Sequence, residues 1–373
     1  MIAWEIIKLE SLMDQKPSHT LTLSYRAAIK RKVLFFFSAL ALLGLLTIYA
    51  IAVGSYGLSV WDVLWTLWGQ GEGVMRTVIW NIRLPRIMAA NLSGWGLGLA
   101  GVTFQSLLKN PLASPSTLGI SQGAAFGASL AIVVFGAGGM KAGALRTQGA
   151  SPLNIFSLYT VTLFAFAGAV AATLIILALA RIKKMSPEAI ILAGVALSSL
   201  FVSGTILIQY FASEVEIAAV VFWTFGDVAR STWREIGLLG IAALAITLYF
   251  VLYRWDLNAL LAGEETAKSL GVEVEKIRVL GMLIATVLAA LVTCFHGVIA
   301  FLGLLAPHIG RRLIGPDHRL LIPYSCLLGA LLLLLADTVG RVVVGSGTLP
   351  VGVLTSFMGA PLFLYLIWKG YHR

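Results

Sequence analysis

Ser121 lies in Gly119-Ile120-Ser121-Gln122-Gly123, the G-x-S-x-G spacing of an acyl-transfer nucleophile. That chemistry needs a strand feeding the serine into a sharp turn, with a histidine and an acid to serve it. Here both flanks are apolar and of helical character, so the glycines read as packing positions. The five histidines, at 19, 296, 308, 318 and 372, form no His-x-x-x-His pair. Cys294 and Cys326 stand singly in apolar stretches, as small buried hydrophobes. The dipeptide Gly-Lys is absent, which removes the phosphate-cradling loop of a nucleotide hydrolase. The expectation is a chain with no catalytic set, no metal site and no cofactor of its own.

What remains is charge in unusual places. Arg83-Leu84-Pro85-Arg86 opens an apolar run. Pro85 suits a first helical turn, where its missing N–H costs nothing. Cations there face the positive end of the helix dipole, at a cost of a few tenths of a kcal/mol. They read either as anchors for lipid headgroups or as a basic patch for an acidic partner. Asp337 and Arg341 are four apart, a spacing that lets them pair on one helix face. A third feature is LLAGEETAKSLGVEVEKIR, residues 260–278, a polar patch between two apolar segments. Gly263 offers a flexible entry, and Glu264 and Glu265 suit a first helical turn. Ala267 and Leu270 are three apart and are expected on one face, and Gly271 can end the helix in a left-handed conformation. So short a helix is marginal by itself, so a partner surface would help hold it. Ser198, Ser199, Ser203, Thr205 and Gln209 put a mildly polar face on another apolar stretch, where some hydroxyls will bond their own i−4 carbonyls.

The elements that position these residues must be helices in lipid. Of 373 residues, 59% are hydrophobic and 12% charged, against about 25% charged in soluble domains. Mean hydropathy is +0.92. A crossing takes about 20 apolar residues as a helix. Ten segments qualify, at about 33–53, 84–108, 117–137, 155–180, 189–212, 235–253, 277–296, 297–313, 320–341 and 350–368, with a turn near His296–Gly297 dividing the seventh from the eighth. The runs are continuous rather than alternating, which excludes a barrel. With both termini inside, the outer segments hold only Arg76, Arg83, Arg86, Lys141, Arg146, Arg230, Arg234 and Arg341 of the 27 Lys and Arg residues, so the positive-inside bias favours that topology. The net charge of +10 follows these loops and forms no nucleic-acid patch. Residues 1–32 form a cytoplasmic extension, either an interfacial helix with Ile2, Ile6, Leu9 and Met13 on one face or a dispensable segment. In SGWGLGLAG (93–101) and GISQGAAFGASLA (119–131), small residues three or four apart mark close helix contacts in lipid. Ionisable groups inside the apolar runs are few, which disfavours an ion-coupled carrier.

Seven segments in order, from RLPR through NPLASPSTLGISQGAAFG (110–127), ILAGVALSS (191–199), LLAGEETAKSLGV (260–272), FLGLLAPHIGRRLIGPDHR (301–319) and LLLADTVGR (333–341) to LPVGVLTSFMGAPLFLYL (349–366), resemble the FecCD/BtuC-type permeases. These are membrane subunits of type II ATP-binding-cassette importers for iron–siderophores, haem and cobalamin. The resemblance implies an all-α, ten-helix permease domain over 33–373 in the bacterial cytoplasmic membrane, working as a homodimer or with a close paralogue. Its implied partners are two cytoplasmic ATPase subunits, which use ATP and Mg, and an extracytoplasmic substrate-binding protein. It implies that the 257–275 loop docks on the ATPase through Gly263, Glu264, Glu265, Ala267, Leu270 and Gly271. It matches Arg83, Arg86 and Arg341 to the residues that receive acidic groups of the binding protein. The pathway would run along the fifth helix, past Ser198, Ser199, Ser203, Thr205 and Gln209. The inner gate would fall at Met185 and Ser186, where Pro187 and Glu188 depart from some relatives. A ferric siderophore is the expected cargo, with haem and cobalamin as alternatives.

Overall fold

The computed structural model describes residues 18–54, 56–71, 73–137, 155–183, 186–344 and 349–371. Met185, Lys141 and Arg146 lie outside these residues. Contacts divide the chain into residues 1–42 and a compact unit from Leu43 onward. Helix α1 (Ser18–Ala52) begins well before the expected start of the first span, because no Gly or Pro lies between Pro17 and residue 33.

The elements that follow are α2 (Val60–Leu67), α3 (Gly73–Leu107), α4 (Ile120–Val134), α5 (Ile155–Lys183), α6 (Pro187–Tyr210), α7 (Glu214–Thr224), α8 (Trp233–Leu252), α9 (Arg254–Leu261), α10 (Glu264–Ser269), α11 (Val274–His296), α12 (Leu302–Ile314), α13 (His318–Val344) and α14 (Val351–Tyr371). Among the described residues, seven helices are long and apolar enough to cross a membrane, namely α1, α3, α5, α6, α8, α11 and α13. Helices α4, α12 and α14 occupy the other three expected spans. The apolar stretches of α4 and α14 are shorter, and α12 has 13 residues, about 20 Å of helix.

Helix α3 is the centre. Of its most apolar stretch 78% is buried, against 11% for α6. It packs on α8, α11, α12 and α13. Lipid tails supply no hydrophobic drive between helices, so the contacts come from backbone approach. Gly94 faces Gly329 of α13, and a Cβ on either would strike the other's carbonyl oxygen. Gly98 and Gly101 abut Ser325 and Gly303 in the same way, and Gly123 of α4 abuts Gly168 of α5. Ser121 is buried in the first turn of α4, with no strand before it.

The expected break between α11 and α12 is present. Helix α11 ends at His296, and Gly297 turns the chain at φ 77°. The ring of His296 is held between Ser93, 3.0 Å from Nδ1, and Ser231 at Nε2. Its carbonyl accepts the Asp227 N–H at 2.7 Å. Helix α2 was not expected. Ser59 and Asp62 close a capping box at its start. Trp61, Leu64, Trp65 and Trp68 are exposed along it while Val63 and Thr66 are buried, the pattern of a helix lying in a membrane interface.

Candidate functional site

Two groups of the residues singled out by sequence fall at the two ends of the Leu84–Leu107 part of α3, which runs 24 residues, about 36 Å.

At the N-terminal end of α3 the three arginines are buried rather than displayed. Arg83 is 6% exposed, and Arg86 and Arg341 are each 9% exposed. Arg83 Nη1 donates to the carbonyls of Ile51 at 2.6 Å and Ala52 at 2.8 Å, and Nη2 donates to Tyr56 at 2.5 Å. Arg341 Nη1 donates to Ala50 at 3.0 Å and Val53 at 3.2 Å. Arg86 pairs with Asp337, Nε to Oδ1 at 2.8 Å and Nη2 to Oδ1 at 2.7 Å. The expected Asp337–Arg341 pair is present at 3.2 Å, as a charge contact without hydrogen-bond geometry.

Arg86 of α3 is held by Asp337, whereas Arg83 of α3 and Arg341 of α13 serve the C-terminus of α1. Unpaired carbonyls and negative dipole make that end favourable for positive charge. A π turn over Val78–Arg83 ahead of Pro85 sets Arg83 in place. The exposed cations nearby are Arg76 and Arg234. Arg76 lines a small hollow with Trp80, Asn81 and Trp233, and the Trp233 indole donates to the Trp80 carbonyl at 3.0 Å.

At the C-terminal end of α3 the polar loop forms α9 and α10. Gly263 enters α10 at φ 122°, and its carbonyl accepts the Ala267 N–H at 2.9 Å. Gly271 leaves at φ 86°, where its N–H donates to Lys268 at 2.9 Å and that of Val272 to Ala267 at 3.0 Å. This is a Schellman ending, and the left-handed turn costs a glycine nothing. Ala267 is buried but Leu270 is 68% exposed, so the two do not share a face. The helix ends at Ser269, and Leu270 caps it, with its N–H on the Thr266 carbonyl at 3.1 Å. Glu265 and Lys268 form an exposed pair at 2.8 Å, and that hydrogen bond lowers the carboxyl pKa and raises the ammonium pKa.

Glu264 instead turns inward to Arg278 of α11, whose Nε lies 3.4 Å from the Leu107 carbonyl. Beside it, Asn258 of α9 accepts from the His318 backbone at 2.9 Å and from Nδ1 at 2.8 Å, and donates to Asp317 at 2.9 Å. The Ser106 oxygen lies 2.6 Å from His318 Nε2. Sequence reasoning assigned no role to Ser106, Asn258, Arg278, Asp317 or His318. The one local signal was Asp317 ahead of a helical run, an N-cap type; it bonds the Arg319 N–H at 3.0 Å.

Helix α6 carries the expected pathway residues. Ser198, Ser199 and Thr205 bond the carbonyls of Gly194, Val195 and Phe201 at 2.8, 3.2 and 2.9 Å. Ser203 is exposed on a face shared with Ser199, Leu192 and Tyr210, and Gln209 is half-buried. Ser186 caps α6, accepting the Ala189 N–H at 3.4 Å; Pro187 follows at the first turn.

An all-helical fold with several helices able to cross a membrane, a tightly packed centre and a polar helical loop at one end defines a multi-pass membrane protein. The model of the FecCD transport family matches residues 42–369, and the chain belongs to that family. A Methanocaldococcus jannaschii protein, provisionally named an ABC transporter permease, is 50% identical over 349 residues, 94% of this chain and 98% of its own. The Haemophilus influenzae molybdate import permease MolB is 33% identical, covering 89% and 95%. The Bacillus subtilis iron(3+)-hydroxamate permease FhuG is 37% identical, covering 82% and 88%. Others carry names for vitamin B12 and hemin import. A solved structure titled as an inward-facing, provisionally metal-chelate type ABC transporter superposes with a TM-score of 0.76 at 32% identity, covering 90% and 99%. The chain is the permease subunit of an ATP-binding-cassette importer, a transport component rather than an enzyme.

Proposed function

We propose that this permease carries a ferric siderophore or related metal chelate across the cytoplasmic membrane, with haem and cobalamin as alternative cargoes. The iron–hydroxamate relative and the metal-chelate type structure support the chelate class. The chain binds no cofactor of its own, and ATP and Mg are used by two partner ATPases. The observation that carries the reading is the loop end. There α9 and α10 turn Leu261, Glu265, Lys268 and Leu270 outward on a scaffold anchored from behind by Asn258 and Glu264. Such a surface suits a partner's groove, and the excess of Lys and Arg on its side makes it cytoplasmic.

Ten crossings complete the reading. The short helices α4 and α12 are each led by non-helical chain, at 110–119 and 297–301. Such backbone is tolerated at membrane depth where protein surrounds it. A second copy, or a close paralogue, covers the broad face of α6 that exposes Leu192, Leu200, Leu207 and Tyr210. Ser199 and Ser203 then border the pathway, and Ser186 stands at its cytoplasmic mouth. A binding protein docks at the opposite end, on a platform held by Arg83, Arg86 and Arg341, with the exposed Arg76 and Arg234 meeting its acidic groups.

Reconstitution of the permease with its ATPase and binding protein in vesicles tests this. Radioactive iron presented as a hydroxamate chelate is expected to accumulate only with ATP. Equal uptake in vesicles lacking the ATPase overturns the reading.

A further inference from the structure

We infer that the loop drives the transmembrane core through two side-chain tethers that converge on consecutive residues, Ser106 and Leu107, at the C-terminal end of α3. The inference rests on the loop's proposed role as the ATPase contact and says where the motion enters the helices.

The first tether starts on α9. The Asn258 side-chain oxygen holds both the backbone N–H and the Nδ1–H of His318, and its amide nitrogen donates to Asp317. Asn258 therefore grips the first turn of α13 from two sides. With Nδ1 committed to Asn258, Nε2 faces the Ser106 hydroxyl, which also lies 2.6 Å from its own Val102 carbonyl. His318 and Ser106 are 1% and 2% exposed, so water does not compete for this link. The second tether starts on α10. Glu264 binds Arg278, and Arg278 reaches the Leu107 carbonyl. Leu107 ends α3 and is 1% exposed; its carbonyl is one of the last four, left without an intrahelical partner.

Each short helix of the loop thus has one polar route inward, and both routes end on the same turn of the most buried helix. Helix α3 packs on α8, α11, α12 and α13, with backbones touching at Gly94–Gly329 and Gly101–Gly303. Packing of that kind transmits displacement rather than absorbing it. Asn258, His318, Ser106 and Arg278 are positioning residues, acting on the pathway through α3.

The test uses the full permease–ATPase–binding-protein complex in vesicles. It measures binding-protein-stimulated ATP hydrolysis and iron–hydroxamate uptake side by side. In Asn258→Leu and Arg278→Met, hydrolysis is expected to stay within about two-fold of wild type while cargo moved per ATP falls about ten-fold. Ser106→Ala lies away from the ATPase-facing surface and is expected to reproduce the Asn258→Leu loss even where the loop variants fold poorly. Added to Asn258→Leu, Ser106→Ala causes no further loss, because one tether is already cut; added to Arg278→Met, its effect multiplies. If the wild-type chain does not bind the ATPase, the loop's role falls and the tethers with it. If wild type couples and all three variants move the same cargo per ATP as wild type, the tethers alone are overturned.

Discussion

The two ends of α3 solve opposite problems. At the N-terminal end, one carboxylate and three guanidinium groups are buried; they bond the last turn of α1 and each other, while Arg341 Nε and Nη2 and Asp337 Oδ2 make no hydrogen bond. At the C-terminal end, charges lie on short helices held by few contacts, with Glu265 and Lys268 in water. The first arrangement is costly to break and offers a partner little free charge. The second is marginal alone and gains from a partner. Charge in a membrane protein is thus no guide to contact with partners until its burial is known. The sequence shows three arginines near one face, and the fold commits all three to the chain itself.

The sharpest way to break this contrast is to remove Asp337. Its loss leaves Arg86 without its ion-pair partner and Arg341 without its counter-charge in a buried site. Breaking a buried pair from one side costs about 3–5 kcal/mol. Asp337→Ala is therefore expected to lower the melting temperature in detergent far more than Glu265→Gln, whose exposed pair is screened by solvent. Equal melting temperatures would mean that the arginine cluster is not the structural element its geometry describes.

Gly271→Val sharpens the other side. Its φ of 86° is left-handed, which costs a side-chain-bearing residue about 1–2 kcal/mol. The damage is confined to the end of α10, so global melting is expected to hold while affinity for the ATPase drops up to about thirty-fold. Loss of global stability with intact ATPase binding would place α10 among the core elements. A smaller effect is expected from Arg76→Glu with Arg234→Glu. Binding-protein affinity should fall at low salt and converge with wild type as salt screens the exposed charges. A difference that persists at high salt would show that these residues make desolvated contacts.

What was legible in the sequence was local. The α11–α12 break at His296–Gly297 and the α10 ending at Gly271 are written in single glycines beside apolar or helical runs, and both stand where expected. The small-residue stretches 93–101 and 119–131 mark the closest helix contacts because lipid leaves few other ways to pack. What was illegible was long-range. Arg83 finds Ile51 and Tyr56, Arg341 finds Ala50, and Asn258 finds His318, each across a separation that no periodicity reports. The spacing of Ala267 and Leu270 is helical, but only Ala267 is covered by the rest of the chain, which the spacing does not report.

Asp317 joins the exposed loop to the buried tether and carries the smallest expected effect. Partial burial raises its pKa, but hydrogen bonds from the Arg319 side chain and backbone and from Asn258, with the Arg319 charge, outweigh that and lower it to about 2. A carboxylate held low stabilises the fold above its unfolded value of about 4, and that contribution fades as pH falls through about 2. The side chain is 30% exposed and its partner Arg319 45%, so solvent screening leaves about 1 kcal/mol or less. Wild type and Asp317→Asn are therefore expected to differ slightly in stability at neutral pH and to converge between about pH 4 and 2. The same substitution also weakens the grip on Asn258, so cargo moved per ATP should fall at neutral pH by more than the small stability change predicts. A variant that loses stability in acid as wild type does would show that folding does not lower the Asp317 pKa, and the Arg319–Asp317–Asn258 chain would lose its charge anchor.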